Sequence, residues 1–293
     1  MVSPNPMPSP SVPDRAAVAK TFVEARVLAG FMDDPHFRTF SGEYLASLTV
    51  GQQQELLAKV DVSRKVVAQF QPAKLDEVEI EPLEDPYLVS IQTDPVFRST
   101  FGNRPFKFAM IRPEKVVALQ VHVKPRADPI PVDRDELLEF VFPKKWDVPA
   151  ELTFFPPIGP IYIASSSPLM QGVTVDLDAG KGTVTLSPPK HLNLLQIVHF
   201  SGRYYLRNGY HRLFDVISSG RHEVPALVVE ALQPQDVALA PGVAAFDLGY
   251  VMKLERPPLV ADFSTGATIT TKMRERRYGV SIGLQISPFG IGI

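Results

Sequence analysis

Residues 202–230 constrain the fold more than any other part of the chain. They combine alternating apolar residues, a sharp turn, an amphipathic stretch and a β-branched run, which together predict strand, turn, helix and strand. A unit of this kind has the size of a βαβ motif. In chain order its parts are a strand over 203–206, a turn at Asn208-Gly209, a helix over 210–219, a helix end at Gly220 and a strand over 224–229.

The turn at Asn208-Gly209 places chemically active groups at the start of the predicted helix. Free backbone N–H groups at a helix N-terminus attract anions, and a glycine lets a ligand approach the backbone closely. His211 can add a hydrogen bond, and Arg212 can hold a phosphate at two points, which a lysine cannot reproduce. The pattern therefore predicts a phosphate site at this turn.

A purely structural interpretation of the same residues stays open. In it, the turn only reverses the chain and His211 caps the helix or packs against a neighbour. Arg212 then pairs with a nearby acid such as Asp215 or Glu223. Spacing alone does not decide between the two interpretations.

Two stretches resemble the ParB N-terminal and sulfiredoxin-like superfamily: Gly-Arg-Tyr-Tyr-Leu-Arg-Asn-Gly-Tyr-His-Arg-Leu at 202–213 and Gly-Arg-His-Glu-Val-Pro-Ala-Leu-Val at 220–228. Members show a strand, an (Asp/Asn)-Gly-x-(His/Arg)-Arg turn, a helix, a glycine and a (Val/Ile)-Pro strand. The resemblance implies an α/β module near residues 185–235 whose Gly-x-x-Arg turn binds nucleotide phosphates. Transferred residue by residue, that role falls on Gly209, Tyr210, His211 and Arg212, with Asn208 shaping the turn.

The chain departs from members of that superfamily in ways that limit what the resemblance implies. Tyr210 stands where sulfiredoxin needs its catalytic cysteine, which excludes sulfinic-acid reduction. Downstream of Glu230 the sequence has neither the Glu-Asn-x-Gln-Arg segment nor the helix-turn-helix pattern of the chromosome-partitioning proteins. Some relatives act as kinases or nucleases through an added acidic residue, but spacing assigns that role to no acid here, Glu114 included.

The charge balance and the residue inventory exclude several classes of function. Lys and Arg number 30 against 32 Asp and Glu, so a formal net charge of −2 gives no global positive field to hold nucleic acid. The chain has no cysteine, which excludes disulfides, thiolate metal sites and thiol redox chemistry. Asp33 and Asp34 beside His36 are interpreted as turn residues, and no metal site is predicted.

The hydrophobic period changes along the chain and predicts an α+β protein. The predicted sections are a disordered Pro-rich tail at 1–13, a helical section at 14–71, a β-rich section at 72–184, the ParB/sulfiredoxin-like module at 185–235 and a β-rich C-terminal extension at 236–293. The helical section should contain a helix over 16–30 and a helical stretch over 41–70. That stretch breaks near Gly51, with Thr49 placed to cap its second part.

Short apolar runs between prolines and glycines predict the β-rich sections. One helix interrupts them at 133–142, where Asp133 is placed as the cap. Residues 178–182 contain Gly-Lys-Gly without the Walker spacing, so they are predicted to join two strands as a hairpin loop. The apolar tail at 278–293 should complete a sheet in its own chain or a neighbour's. The predicted strands are 87–92, 106–111, 116–123, 152–155, 161–164, 173–177, 183–186, 248–254, 259–263 and 269–272.

From these features we expect a nucleotide- or phosphate-binding regulatory or interaction protein. A nucleoside triphosphate with Mg²⁺ is the expected cofactor if the turn is a working site, and no cofactor is expected otherwise. The alternative is a non-catalytic structural or assembly subunit that keeps the fold without a working site. A phosphotransferase or nuclease is a weaker alternative, and whether the chain is an enzyme stays open.

The expected partner is another protein or a second copy of this chain. Residues 272–278 form a local basic patch, but Glu275 interrupts it and only Tyr278 is available to stack on a base, so nucleic acid is not favoured. No stretch approaches 18 consecutive apolar residues, and the start of the chain lacks a signal-peptide pattern. We therefore expect no membrane-spanning helix and a cytoplasmic location.

Overall fold

The computed structural model describes residues 22–76, 78–125, 129–144, 192–239 and 242–274, together with the strands at 151–154, 161–165, 174–178, 183–187 and 278–282. These residues form an α+β fold, which confirms the predicted class. In chain order the elements are β1 (Phe22–Val27), α1 (Asp34–Leu45), α2 (Val50–Val67), β2 (Ile80–Pro82), α3 (Pro86–Gln92), α4 (Pro95–Phe101), β3 (Phe106–Ile111), β4 (Val117–Ala118), β5 (His122–Val123), α5 (Arg134–Val141), β6 (Glu151–Phe154), β7 (Ile161–Ser165), β8 (Thr174–Asp178), β9 (Thr183–Ser187), β10 (Gln196–Phe200), β11 (Arg203–Asn208), α6 (Tyr210–Ser218), β12 (Val224–Glu230), α7 (Leu248–Lys253), β13 (Ile269–Arg274) and β14 (Tyr278–Ile282).

A six-stranded mixed sheet carries the unit predicted at 202–230, and its strand order is β2-β3-β12-β10-β11-β4. β10 and β11 form an antiparallel hairpin, and the predicted strand, helix and strand are confirmed as β11, α6 and β12. The strand after α6 pairs in parallel with β10, however, and not with β11. The unit is therefore a hairpin followed by a helical crossover, and α6 returns the chain beside the first strand of that hairpin.

The described part of the chain also contains three smaller sheets. Their strand orders are β13-β1-β5, β14-β7-β6 and β8-β9. The predicted hairpin is confirmed by the antiparallel pairing of β8 with β9, although its loop at 179–182 lies outside the described residues. β14 pairs antiparallel with β7, so the tail completes a sheet in its own chain over Tyr278–Ile282.

Aromatic packing fixes α4 and the end of α5 against the central sheet. Phe97 of α4 is buried, with its ring centroid 5.0 Å from that of Phe106 and 6.0 Å from that of Phe108 on β3. Phe108 in turn lies 5.3 Å from Phe142, the residue that follows α5. The C-terminal turn of α5 is thereby held beside the segment that leads into β10, where the backbone N–H of Leu195 donates to the carbonyl of Val141 at 2.9 Å.

Predicted helix caps account for the helical elements that the sequence located correctly. The break between α1 and α2 is confirmed, and Thr49 forms a reciprocal capping box with Gln52. Asp133 caps α5 by accepting the backbone N–H groups of Asp135 at 2.8 Å and Glu136 at 3.2 Å. Asp33, which was predicted only as a turn residue, caps α1, since its carboxylate accepts the backbone N–H of His36 at 2.8 Å.

The predicted helix over 16–30 is wrong where the structure describes it. Residues 22–27 form β1, which pairs with β13 along its full length and with β5 at one end. Ala25 and Val27 are fully buried, so the pairing of strands distant in sequence overrides an approximate helical period. Residues 16–21 of the prediction, like the predicted tail at 1–13, lie outside the described residues.

Two predicted strands, 87–92 and 248–254, are also wrong, because each follows a helix cap. Asp85 accepts the backbone N–H of Tyr87 at 2.8 Å and begins α3. Asp247 accepts the backbone N–H of Tyr250 at 2.7 Å and begins α7. The predicted strand at 259–263 is a 3₁₀ helix over Val260–Ser264. Helices thus occur within both sections that were predicted to be β-rich, while the section boundaries themselves stay predictions.

Candidate functional site

Asn208 and Gly209 define the turn between β11 and α6. Gly209 has a φ of 92°, in the left-handed region where a β-carbon is unfavourable. A β-carbon at this position would also lie 3.1 Å from the Cα and Cγ atoms of Leu195. Asn208 holds the turn because its Oδ1 accepts the N–H of Gly209 at 2.9 Å and its Nδ2 donates to Asn193 Oδ1 at 3.0 Å. Backbone geometry and close packing together require the glycine.

Tyr210 connects the start of α6 to two other segments. The side chain is buried, and its hydroxyl donates to the carbonyl of Leu206 and accepts the backbone N–H of Leu119 at 2.9 Å. Burial raises the pKa of Tyr210 well above the usual range for a tyrosine, although the backbone hydrogen bonds of the phenol with Gln120 and Leu119 act in the opposite direction. The phenol therefore stays neutral inside the fold and has a structural role.

His211 is held in one tautomer by a backbone hydrogen bond. Its Nδ1 accepts the N–H of Lys124 at 2.9 Å, which places the proton of the neutral ring on Nε2. The ring centroid lies 6.2 Å from that of His122, which lies 5.4 Å from that of Phe40. Because an imidazolium cannot accept a hydrogen bond, a positive charge on His211 would break the contact with Lys124.

Arg212 binds α6 to the end of α5. The residue is only 7% exposed. Its Nη1 donates to the carbonyls of Val141 at 2.9 Å and Phe140 at 3.3 Å, and its Nη2 donates to Asn193 Oδ1 at 2.9 Å. Both carbonyls belong to the last turn of α5, where helical hydrogen bonding leaves acceptors unsatisfied and the helix dipole favours a cation.

The five predicted site residues are adjacent in the structure, and the hydrogen bonds of their side chains are made within the fold. Asn208 bonds toward Asn193, Tyr210 toward Leu206 and Leu119, His211 toward Lys124, and Arg212 toward Phe140, Val141 and Asn193. The acid Glu223, considered as a partner for Arg212, instead pairs with Arg112 at 3.1 Å. One feature of an anion site is retained, since α6 begins without a side-chain cap.

Sequence reasoning missed a second cluster of charged residues. Arg104, just before β3, pairs with Asp236 at 2.7 Å. Asp236 is buried, and its other oxygen accepts the backbone N–H groups of Leu232 at 3.1 Å and Gln233 at 3.2 Å. Arg207 lies on β11 directly before the turn, and its Nε donates to the carbonyl of Ala238, two residues after Asp236, at 3.5 Å. Arg207 belongs to the sequence motif at 202–213, but no local sequence pattern indicates that it lies near residues 104 and 236.

The charges of this cluster influence one another. Burial lowers the pKa of Arg207, and the positive charge of Arg104 lowers it further, while Asp236 acts in the opposite direction. For Asp236, burial acts to raise the pKa, but the hydrogen bonds from Leu232 and Arg104 outweigh it and the pKa lies below its usual value. The cluster therefore contains two guanidinium groups and one carboxylate.

A third group of titratable side chains lies across β11, β10 and β12, and sequence reasoning missed it as well. His199 Nδ1 is 2.8 Å from a carboxylate oxygen of Glu230, and the imidazole is stacked on Tyr204 with ring centroids 4.4 Å apart. Burial raises the pKa of Tyr204, and the negative charge of Glu230 raises it further. His199 and Glu230 are paired residues of the parallel strands, so strand register places them together.

No protein-family model matches the chain, and neither a curated protein nor a solved structure matches it. The resemblance to the ParB/sulfiredoxin-like superfamily therefore stays a prediction that depends on the motif at 202–230.

Among the residues that the structure describes, His, Cys, Asp and Glu side chains form no group of three or more placed to hold a metal ion. In the same part of the chain, no helix is long and apolar enough to cross a membrane.

Proposed function

We propose that this protein is a non-catalytic interaction or assembly subunit, in which the hairpin, turn and helix at 196–230 serve as a structural frame. The observation that carries this proposal is the position of Arg212. Its buried guanidinium donates three hydrogen bonds to α5 and Asn193, so binding a phosphate would require it to leave those acceptors. An arginine that must first break internal bonds is a poor phosphate ligand.

The state of His211 supports the same proposal. A neutral imidazole whose Nδ1 already accepts a backbone N–H supplies neither a positive charge nor a donor from that nitrogen. Tyr210 contributes a buried hydroxyl that is bonded within the fold. Together with Asn208 and Gly209, which form the turn, all five residues of the motif thus have identified structural roles that are independent of any ligand.

A nucleotide- or phosphate-binding regulatory protein is the second candidate. It is favoured by the uncapped start of α6, which follows a left-handed glycine as in the helix starts that bind phosphate. In this hypothesis the backbone N–H groups alone hold the anion, and His211 lies beside it. A phosphotransferase or nuclease would need a catalytic acid or metal-binding residues in addition.

Calorimetric titration separates the two candidates. The full chain is titrated with ATP, ADP, CTP and GTP, with and without Mg²⁺, beside the variant His211→Ala. This variant is preferable to Arg212→Ala, because loss of Arg212 would destabilise the fold. A loss of nucleotide binding by Arg212→Ala could then not be distinguished from partial unfolding. His36→Ala is the matched control, since it removes a half-exposed imidazole that lies against Phe246 and is not part of the turn.

We expect no saturable nucleotide binding. Saturable binding by the folded wild type would refute the structural proposal, and its loss in His211→Ala, while His36→Ala retains it and both stay folded, would place the bound anion beside His211. Light scattering in the same buffer tests whether the protein self-associates. A mass above that of the 32.4 kDa monomer indicates self-association, whereas a monomer directs the search to a different protein as partner.

A further inference from the structure

We propose that a cleft between the start of α1, the end of α2 and α7 binds a small organic ammonium cation with an apolar body. The cleft has a volume of about 500 Å³, which lies within the range of clefts that hold small molecules. This site goes beyond the structural role proposed above. Its failure would leave that role unaffected, because none of the residues that line the cleft belongs to the turn at 208–212.

Part of the cleft wall is apolar. It is formed by the side chains of Phe31, Met32, Val67 and Leu254. Packing fixes the ring of Phe31, whose centroid lies 6.2 Å from that of Phe70. Phe31, Val67 and Leu254 each keep part of their surface exposed, so an apolar ligand group that covers them gains hydrophobic free energy.

Tyr250 on α7 adds an exposed aromatic ring to the same cleft. The residue is 52% exposed, and its ring contacts no other aromatic ring in the described part of the chain. The face of an aromatic ring attracts an ammonium group through its quadrupole. A tyrosine in this position is therefore available to a cationic ligand.

The two arginines that line the cleft are already paired within the protein. Arg256 donates from Nη1 and Nη2 to the carboxylate of Asp262, at 2.9 and 2.6 Å, and Asp262 is buried. Nη1 of Arg64 donates to Asp34 at 2.6 Å and to Asp61 at 3.2 Å, so this cation lies between two acids. The positive charges of both arginines are thus balanced without a ligand.

The carboxylates at the start of α1 give the cleft a surplus of negative charge. Asp33 pairs with no cation in the described part of the chain, and only its Oδ1 accepts a hydrogen bond there, from the N–H of His36 at 2.8 Å. The side chain of Asp34 is 62% exposed, and Asp34 shares Arg64 with Asp61. The N-terminus of α1 carries only about half a positive charge, so the carboxylates outweigh it.

An ammonium cation with an apolar body fits these three features together. Its N–H groups can donate to Oδ2 of Asp33, its charge can lie over the ring of Tyr250, and its apolar part can pack on Phe31. Lys65 and Lys253 follow and precede lining residues in the sequence, but they do not themselves line the cleft. An anion would be repelled by the carboxylates, and a neutral ligand would gain nothing from them.

Phenethylamine is the probe for the test, and the full chain is titrated by calorimetry. Phenethyl alcohol replaces the ammonium by a neutral hydroxyl group of similar size, and phenylpropionate replaces it by a carboxylate. We expect saturable binding of phenethylamine, affinity lower by about tenfold for phenethyl alcohol, and no binding of phenylpropionate. The affinity for phenethylamine should also fall as salt is added, because salt screens exposed charges.

Two variants test the residues. Asp33→Asn removes the charge but keeps the helix cap, since asparagine caps as well as aspartate, and Tyr250→Leu removes the aromatic ring. Asp133→Asn is the matched control, because Asp133 is also an exposed aspartate that caps a helix and does not line the cleft. We expect both cleft variants to bind phenethylamine about threefold more weakly or worse, and the control to bind it as the wild type does.

Three outcomes would refute the proposal. These are no saturable binding of phenethylamine by the wild type at ~20 mM, equal affinity in the wild type and Asp33→Asn, and tighter binding of phenylpropionate than of phenethylamine. Melting temperatures of the variants show that each stays folded. Because the asparagine keeps the cap, Asp33→Asn decides the test even if Tyr250→Leu is destabilised.

Discussion

Replacing Arg212 by alanine should destabilise the fold by about 3 kcal/mol, because the two hydrogen bonds of 2.9 Å from this charged donor contribute about 1.5 kcal/mol each. The longer bond to Phe140 adds little. Neither of the two closer acceptors is left unsatisfied, since Val141 keeps the N–H of Leu195 and Asn193 keeps Nδ2 of Asn208. No further penalty for an unpaired acceptor is therefore added for these two groups, and the estimate stays near the sum of the two lost bonds.

Urea denaturation followed by far-ultraviolet circular dichroism measures this loss. The matched control is Arg221→Ala, because Arg221 also donates to two backbone carbonyls, Pro131 at 3.0 Å and Val132 at 2.6 Å, from a more exposed position. The control should lose less than about 1 kcal/mol. If Arg212→Ala loses no more free energy of unfolding than Arg221→Ala, the internal role of Arg212 is refuted.

Two further predictions concern the turn and the tyrosine that follows it. Gly209→Ala should lower the free energy of unfolding by about 2 kcal/mol. Gly202→Ala is the control, because Gly202 also has a positive φ but has open space where a β-carbon would lie, and it should lower that free energy by only about 1 kcal/mol. Equal losses in urea denaturation would contradict the close packing of Gly209 against Leu195. The raised pKa of Tyr210 means that above pH ~10 the unfolded chain releases this proton and the folded chain does not, so stability falls by up to about 1.4 kcal/mol per pH unit. Tyr210→Phe should show a shallower fall between pH 9 and 11, and an unchanged slope would refute this source of alkaline instability.

The elements of the 202–230 unit were predictable because their signals are local. The alternation in β11, the left-handed glycine, the amphipathic helix and the β-branched run of β12 each lie within a few residues of the structure they specify. The pairing of β12 with β10 was not predictable in this way, since strand order depends on the crossover and on the rest of the sheet.

Two causes explain the elements that were predicted incorrectly. Helix caps were given too little weight, and strands pair with partners that are distant in the sequence. The Asp-Pro pairs at 85–86 and 94–95 begin α3 and α4, with the aspartate as cap and the proline in the first turn. The apolar run at 87–92 predicts a strand by itself, but the cap at Asp85 that precedes it begins a helix. β1 shows the opposite error, because its partner β13 lies more than two hundred residues away and leaves no trace in the local pattern.

The residues of the candidate site could be predicted from the sequence, but the hydrogen-bond partners of their side chains could not. Asn208 to Arg212 lie together as the motif requires, yet the partners of Arg212 lie on α5 about seventy residues earlier, and spacing cannot reveal them. The structural alternative considered from the sequence proposed acids as partners. Arg212 donates to the carbonyl groups of a helix end and to Asn193, a pairing that no charge pattern would indicate.

A crystal structure grown with ATP and Mg²⁺ tests the internal role of Arg212 most directly. We predict that Nη1 of Arg212 stays within hydrogen-bonding distance of the Val141 carbonyl and that no triphosphate occupies the start of α6. A triphosphate bound to the backbone N–H groups of Gly209 to Arg212, with the guanidinium turned away from α5 toward it, would contradict the structural role and establish the turn as a nucleotide site.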